Sequence, residues 1–216
     1  MTKRTALIAG STGFVGNILL HKLSESGLYD EVISIVRKPA KTSLPNVKEE
    51  IVDFDKLEEY EYLFKVNDIY ICLGTTIKKA KTQEAFKKVD VDYPVKIAQL
   101  SAKFGAEKLS VISAMGANSK SKIFYNRMKG IMEQGVLESG IKTINIYRPS
   151  LLLGKRNEFR FGEKFASIFV RPIIFLFAGP YKKYRPVKAE IVAQTMLNNC
   201  FENISGINIF ENNKFF

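Results

Sequence analysis

Three glycines near the N-terminus restrict the fold more than any other feature of this chain. Gly10, Gly13 and Gly16, in TALIAGSTGFVGNILLHKL, close a short apolar β-type run and open an amphipathic helical one. A bend without side chains at that junction permits a tight turn, close backbone approach to a pyrophosphate and close strand-helix packing. The helix that begins near Phe14 then offers unpaired backbone N–H groups and the positive end of its dipole to an anion. Gly10, Ser11, Thr12, Gly13, Phe14, Val15 and Gly16 are therefore candidate ligands of a dinucleotide.

The rest of the chain repeats the same rhythm. Apolar β-type runs at Thr5–Ala9, Glu31–Val36, Val47–Val52, Asp68–Leu73, Lys108–Ser113 and Thr143–Tyr147 alternate with amphipathic stretches, among them Phe14–Ser26, Gln83–Phe104, Lys122–Glu138 and Ala189–Phe201, and a short strand follows near Ile207–Phe210. Strands apolar on both faces need helices on both sides, which predicts an α/β doubly wound parallel sheet of Rossmann type with strand order 3-2-1-4-5-6. At 216 residues and 46% hydrophobic, with no linker or repeat, residues 1–216 read as one domain, of which about 150–188 form a short C-terminal lobe on the substrate side.

Charge is concentrated in that lobe. Nine basic residues between Lys155 and Lys188 against Glu158 and Glu163 supply +7 of the chain's +11, and Phe159, Phe161, Phe165, Phe169, Phe175, Phe177, Tyr181 and Tyr184 are interleaved with them. A pocket wall for an anionic substrate is the first reading, ahead of a phospholipid or RNA contact, so no nucleic acid is expected. The apolar stretch Pro172–Gly179 is too short to span a bilayer, and Ala6–Ala9 is too short for a secretory signal, so no transmembrane segment and a cytoplasmic location are expected. Cys72 and Cys200 read as buried thiols, His21 as a helix-face residue, and no cluster has metal-ligand spacing.

The end of the second strand selects the cofactor. An acidic residue there would accept hydrogen bonds from an adenosine ribose hydroxyl, whereas this chain has Arg37 and Lys38, which suit a 2′-phosphate and hence NADP(H). The alternative is that Arg37 only solvates a loop. Asp53 and Phe54, after the third strand, could bound an adenine edge; Leu73, Gly74 and Thr75, after the fourth, would lie near the cofactor's middle or form a plain turn.

FYNRMKG sets Tyr125 and Lys129 four apart, on one face of a helix. An ammonium one turn from a phenol stabilises the phenolate and so fits it for proton transfer near neutral pH. Ser113, at the end of KLSVIS, could hydrogen-bond a substrate carbonyl, and the three together would make a carbonyl-reduction site.

With these residues the chain resembles the short-chain dehydrogenase/reductase superfamily, marked by a glycine turn, a later Ser and Tyr-x-x-x-Lys. CLGTT, VDVDYPVKIA, ISAMGA before YNRMK, YRPSLLLG and MLNN are similar to the atypical group that includes the Tat-interacting-protein (CC3) oxidoreductase-like proteins. The resemblance implies that Tyr125 is the general acid/base, that Lys129 holds the nicotinamide ribose and assists Tyr125, and that Ser113 orients the carbonyl. It also implies that Arg148, Pro149 and Ser150 pass beside the nicotinamide, the alternative being a proline that only ends the strand. Many superfamily members carry an Asn ahead of the Ser to hold a proton-relay water, where this chain has Asp90 or Asp92. The expected activity is NADP(H)-dependent hydride transfer to or from a small carbonyl or alcohol. The alternatives are an NADPH-binding regulator that contacts a protein partner, and a nucleoside-diphosphate-sugar epimerase or dehydratase.

Overall fold

The computed structural model describes residues 4–40, 42–154, 185–202 and 204–215. The stretch 155–184, which holds most of the basic and aromatic segment, lies outside the described residues.

Seven parallel strands form the main sheet: β1 (Thr5–Ala9), β2 (Glu31–Val36), β3 (Val47–Ile51), β4 (Asp68–Ile71), β5 (Lys108–Ile112), β6 (Thr143–Arg148) and β9 (Gly206–Glu211), in the order β3-β2-β1-β4-β5-β6-β9. The doubly wound sheet is thus present, with β9 added in parallel beyond β6, where Ile144 pairs with Ile207. A two-residue pair, β7 (Leu152–Leu153) with β8 (Val187–Lys188), stands apart from it.

The buried strands divide their residues between two cores because side chains alternate across a pleat. Leu7, Ala9, Ile33, Ile69, Leu109 and Ile144 face α4 (Tyr93–Lys103) and α5 (Phe124–Leu137), while Ala6, Ile8, Val32, Tyr70 and Tyr147 face α1 (Phe14–Glu25) and α6 (Ala189–Phe201). Fully buried side chains such as Leu19 and Phe64 each contribute about 1.5–3 kcal/mol of hydrophobic stabilisation. On the outer face, Lys22 of α1 donates to Gln194 of α6 at 2.6 Å.

Two connections are irregular. Phe54–Phe64 forms a 3-10 segment, interrupted at Lys56 and Tyr60, whose acidic residues are ion-paired: Glu58 with Lys96, Glu61 with Lys103. The helix expected over Gln83–Phe104 is a composite of α3 (Gln83–Lys87), a π-helical turn (Lys88–Asp92) and α4, preceded by the four-residue α2 (Ile77–Ala80). Pro94 has no N–H for the Asp90 carbonyl, and the turn before it widens, with the Tyr93 N–H reaching back to the Lys88 carbonyl. That widening turns Asp90 and Val91 inward.

Winding outward from β1 to β3 and then back to β4 creates a crevice beyond the carboxyl ends of β1 and β4, where ligands bind in such sheets. The glycine turn follows one of these strands and Cys72–Thr75 the other.

Candidate functional site

At each glycine of the turn a Cβ would meet neighbouring backbone. Gly10 has φ +92°, and a Cβ there would lie 2.5 Å from the Cys72 carbonyl oxygen; one on Gly16 would lie 2.1 Å from the Gly10 carbonyl oxygen. The Gly13 N–H closes the bend on Gly10 O at 2.9 Å. Gly13 is also the N-cap of α1, which has no side-chain cap and no acidic residue in its first turn. The positive end of this helix is therefore not neutralised by its own chain. Ser11 is buried, and its hydroxyl accepts from the Ser34 hydroxyl at 2.7 Å, so this side chain braces the turn against β2.

At the end of β2, Arg37 and Lys38 are exposed and form no ion pair among the described residues. Arg37 is near enough to Tyr93 to counteract part of the upward shift that burial and a hydrogen bond to Asp55 impose on that phenol. Asp53 caps the 3-10 segment by accepting the Asp55 N–H at 2.9 Å, and Phe54 is buried, its ring 5.3 Å from that of Tyr93. Leu73 is half-buried, Gly74 is exposed, and the Thr75 N–H donates to Asp90 Oδ2 at 2.7 Å.

Ser113 follows directly on β5. Its N–H donates to Tyr147 O at 2.7 Å, while its hydroxyl is buried and has no hydrogen-bond partner among the described residues. Tyr125 lies in the first turn of α5, half-buried, with its ring 6.1 Å from that of Phe86. One turn on, the Lys129 ammonium is 2.8 Å from Asp90 Oδ1, with the two side chains 4% and 1% exposed. A Cβ on Gly130 would sit 2.1 Å from Ser119 N, so the β5–α5 loop lies directly on this helix.

Arg148, expected beside the nicotinamide, has its guanidinium engaged by two carboxylates. It binds Glu133 of α5 through Nε (3.0 Å) and Nη2 (2.6 Å) and Glu211 of β9 through Nη1 (3.0 Å). Two carboxylates hold it because a planar fork matches them bidentately. The Pro149 carbonyl accepts the Met115 N–H at 3.0 Å, and the Ser150 hydroxyl donates to Arg185 O at 2.7 Å. This segment can meet a ligand only through groups not engaged in these bonds. Glu133 escaped the sequence reading; a lone acid amid the apolar positions of a helix was the available signal.

A groove of about 610 Å³ lies on the outer side of α4 and α5, lined by Phe54, Tyr93, Lys96, Ile131 and Gly135 and by none of the residues assigned to the glycine turn or to catalysis. Among the described residues, no group of acidic, His or Cys side chains is placed to hold a metal, and no helix is long and apolar enough to cross a membrane.

The profile of the NAD dependent epimerase/dehydratase family matches residues 6–212. The chain belongs to that family. Protein HTATIP2 of Rattus norvegicus is 33% identical over 210 residues, covering 95% of this chain and 85% of its own, which bears out the resemblance to the Tat-interacting-protein group. Protein FMP52, mitochondrial, of Candida glabrata is 35% identical over 162 residues, or 73% of this chain and 68% of the relative. The fold is shared with MoeE5 in complex with UDP-glucose and NAD (TM-score 0.72, 16% identity, 95% of this chain and 74% of that one). It is also shared with UDP-glucose 4-epimerase from Thermotoga maritima (TM-score 0.69, 17% identity, 96% and 76%). The chain is thus an oxidoreductase-type member of an NAD-dependent family with a Rossmann fold.

Proposed function

We propose that this chain is an NADP(H)-dependent oxidoreductase that interconverts a small carbonyl compound and its alcohol through Ser113, Tyr125 and Lys129. The observation that carries the reading is the Ser113 hydroxyl, buried without a partner among the described residues at the carboxyl end of β5, with Tyr125 and Lys129 one turn apart on the next helix. A buried hydroxyl without a hydrogen bond is costly unless a ligand supplies one.

The residues fit a dinucleotide. The Gly10–Gly16 bend and the free end of α1 would hold its diphosphate, Arg37 and Lys38 a 2′-phosphate, and Lys129 the ribose beside the nicotinamide. When bound, the cofactor supplies or accepts hydride. Ser113 donates its hydrogen bond to the substrate oxygen and fixes its direction. Tyr125 gives the proton that the nascent alkoxide needs.

The test supplies NADPH, and separately NADH, with a panel of aldehydes, ketones, anionic carbonyl compounds and UDP-glucose. Wild type is expected to oxidise NADPH with at least one carbonyl compound, and Tyr125→Phe to lose about 10²–10⁴ of that rate. Tight NADPH binding with no consumption by either protein refutes the enzyme. The ion pair that engages Lys129 with Asp90 favours that second reading, a cofactor-binding regulator with a protein partner. Turnover of UDP-glucose alone would support the sugar-nucleotide alternative. The cytoplasm is the proposed compartment, and the mitochondrion named for the FMP52 relatives is the alternative that cell fractionation tests.

A further inference from the structure

Asp90 contacts two parts of the site at once. One carboxylate oxygen is 2.8 Å from the Lys129 ammonium, the other accepts the Thr75 N–H at 2.7 Å, and the π-helical turn before Pro94 brings the residue inward. Lys129 and Asp90 are both buried, so water screens neither charge, and each acts on its surroundings through the other. Seen from a phenol one helical turn away, such a pair is a dipole of zero net charge and not a free cation. An Asn in this place could accept from one of these two donors through its single amide oxygen and would leave the positive charge uncancelled.

We propose that Asp90 is a positioning residue that fixes the Lys129 ammonium against the β4 loop and cancels most of the charge that Tyr125 would otherwise feel. This deepens the reading of Tyr125 as proton donor and rests on it. Other charged groups on the surrounding elements have their own partners: Glu133 is held by Arg148, Lys87 by Asp92, Lys88 by Asp55 and Lys96 by Glu58, while Arg127 donates to Ser121 O. The Cys72 thiol is kept protonated by burial, and the Tyr93 phenol is held neutral by burial and Asp55. Lys78 and Lys79, on α2 beyond Thr75, are common to every variant compared below.

The consequence is a property of the phenol alone and needs neither substrate nor cofactor. Protein carrying tyrosine isotope-labelled at Cζ is titrated by NMR, with Tyr125→Phe identifying the Tyr125 resonance. In Asp90→Asn the Tyr125 phenolate is expected to form about one pH unit or more below wild type, because the ammonium is no longer cancelled. In Asp90→Asn with Lys129→Met, where the pair is replaced by two neutral side chains, the midpoint is expected within about 0.3 unit of wild type.

An unchanged midpoint in Asp90→Asn overturns the proposal. So does a double variant whose midpoint rises by about one unit or more, since Tyr125 would then have felt the whole Lys129 charge. If the single variant does not fold, the double variant decides alone, having no unpaired buried charge. NADPH binding, followed by fluorescence on the same wild-type sample, keeps the two failures apart. A wild type that binds no NADPH sinks the cofactor reading and leaves the comparison of phenol midpoints intact.

Discussion

Arg148 grips Glu133 with two hydrogen bonds of 3.0 and 2.6 Å and so ties the end of β6 to the middle of α5, the helix that carries Tyr125 and Lys129. Glu133→Gln removes the charge from two of these hydrogen bonds and leaves Arg148 its more exposed partner Glu211. The change is expected to cost about 1.5–3 kcal/mol of stability, read as a lower denaturant midpoint. The folded protein should keep its NADPH affinity. A tenfold loss of affinity in Arg148→Ala at unchanged stability would instead return this guanidinium to the cofactor wall.

Gly16→Ala puts a methyl group 2.1 Å from the Gly10 carbonyl oxygen, a backbone atom held in place by the turn. NADPH binding is expected to disappear, with stability falling by at least about 2 kcal/mol. Gly27→Ala is the comparison. Its φ is +68° but nothing lies within 4 Å, so the left-handed strain of about 1–2 kcal/mol should be its whole effect. Equal losses of binding in the two variants would show that the close approach at Gly16 is not what shapes the site.

Arg37 and Lys38 are exposed basic residues at the end of β2, where an acid would select NAD. Changing both to Ala is expected to weaken NADPH binding about tenfold to a hundredfold and to leave NADH binding unaltered. Parallel weakening of both cofactors would assign the two residues to general electrostatics.

Burial holds both thiols protonated, Cys72 up to about 12 and Cys200 up to about 11, against 9.0 for an exposed thiol. The unfolded chain ionises them first as pH rises. Stability from this source is therefore complete below about pH 9 and is lost as pH climbs through 11 to 12. Urea midpoints measured from pH 8 to 11 should decline, and more gently in Cys72→Ala with Cys200→Ala. Tyr29 and Tyr70, whose buried phenols are also shifted upward, keep part of the decline in that variant.

Most strands and helices were legible because their physics is local. The run Ala6–Ala9 is buried on both faces and reads so, and the expected spans of β2 and α6 agree with those observed. Segments whose form depends on distant partners did not show themselves. The 3-10 stretch Phe54–Phe64 is held by lysines of α4, and the pairing of β7 with β8 joins residues on either side of 155–184. The break in the Gln83–Phe104 helix had a local signal in Pro94, but its outcome, an inward Asp90, depended on what lay across from it.

The amino-acid order by itself determined the glycine bend, the parallel strand-helix succession and the one-turn spacing of Tyr125 and Lys129, because steric exclusion and helical periodicity act between neighbours in the chain. Only the tertiary structure decided which charges meet. Asp90 with Lys129, Glu133 with Arg148 and Ser34 with Ser11 are separated by 15 to 39 residues and become partners only when the sheet brings their elements together. A side chain's field and hydrogen bonds act over a few ångströms of space, whatever the length of chain between the groups.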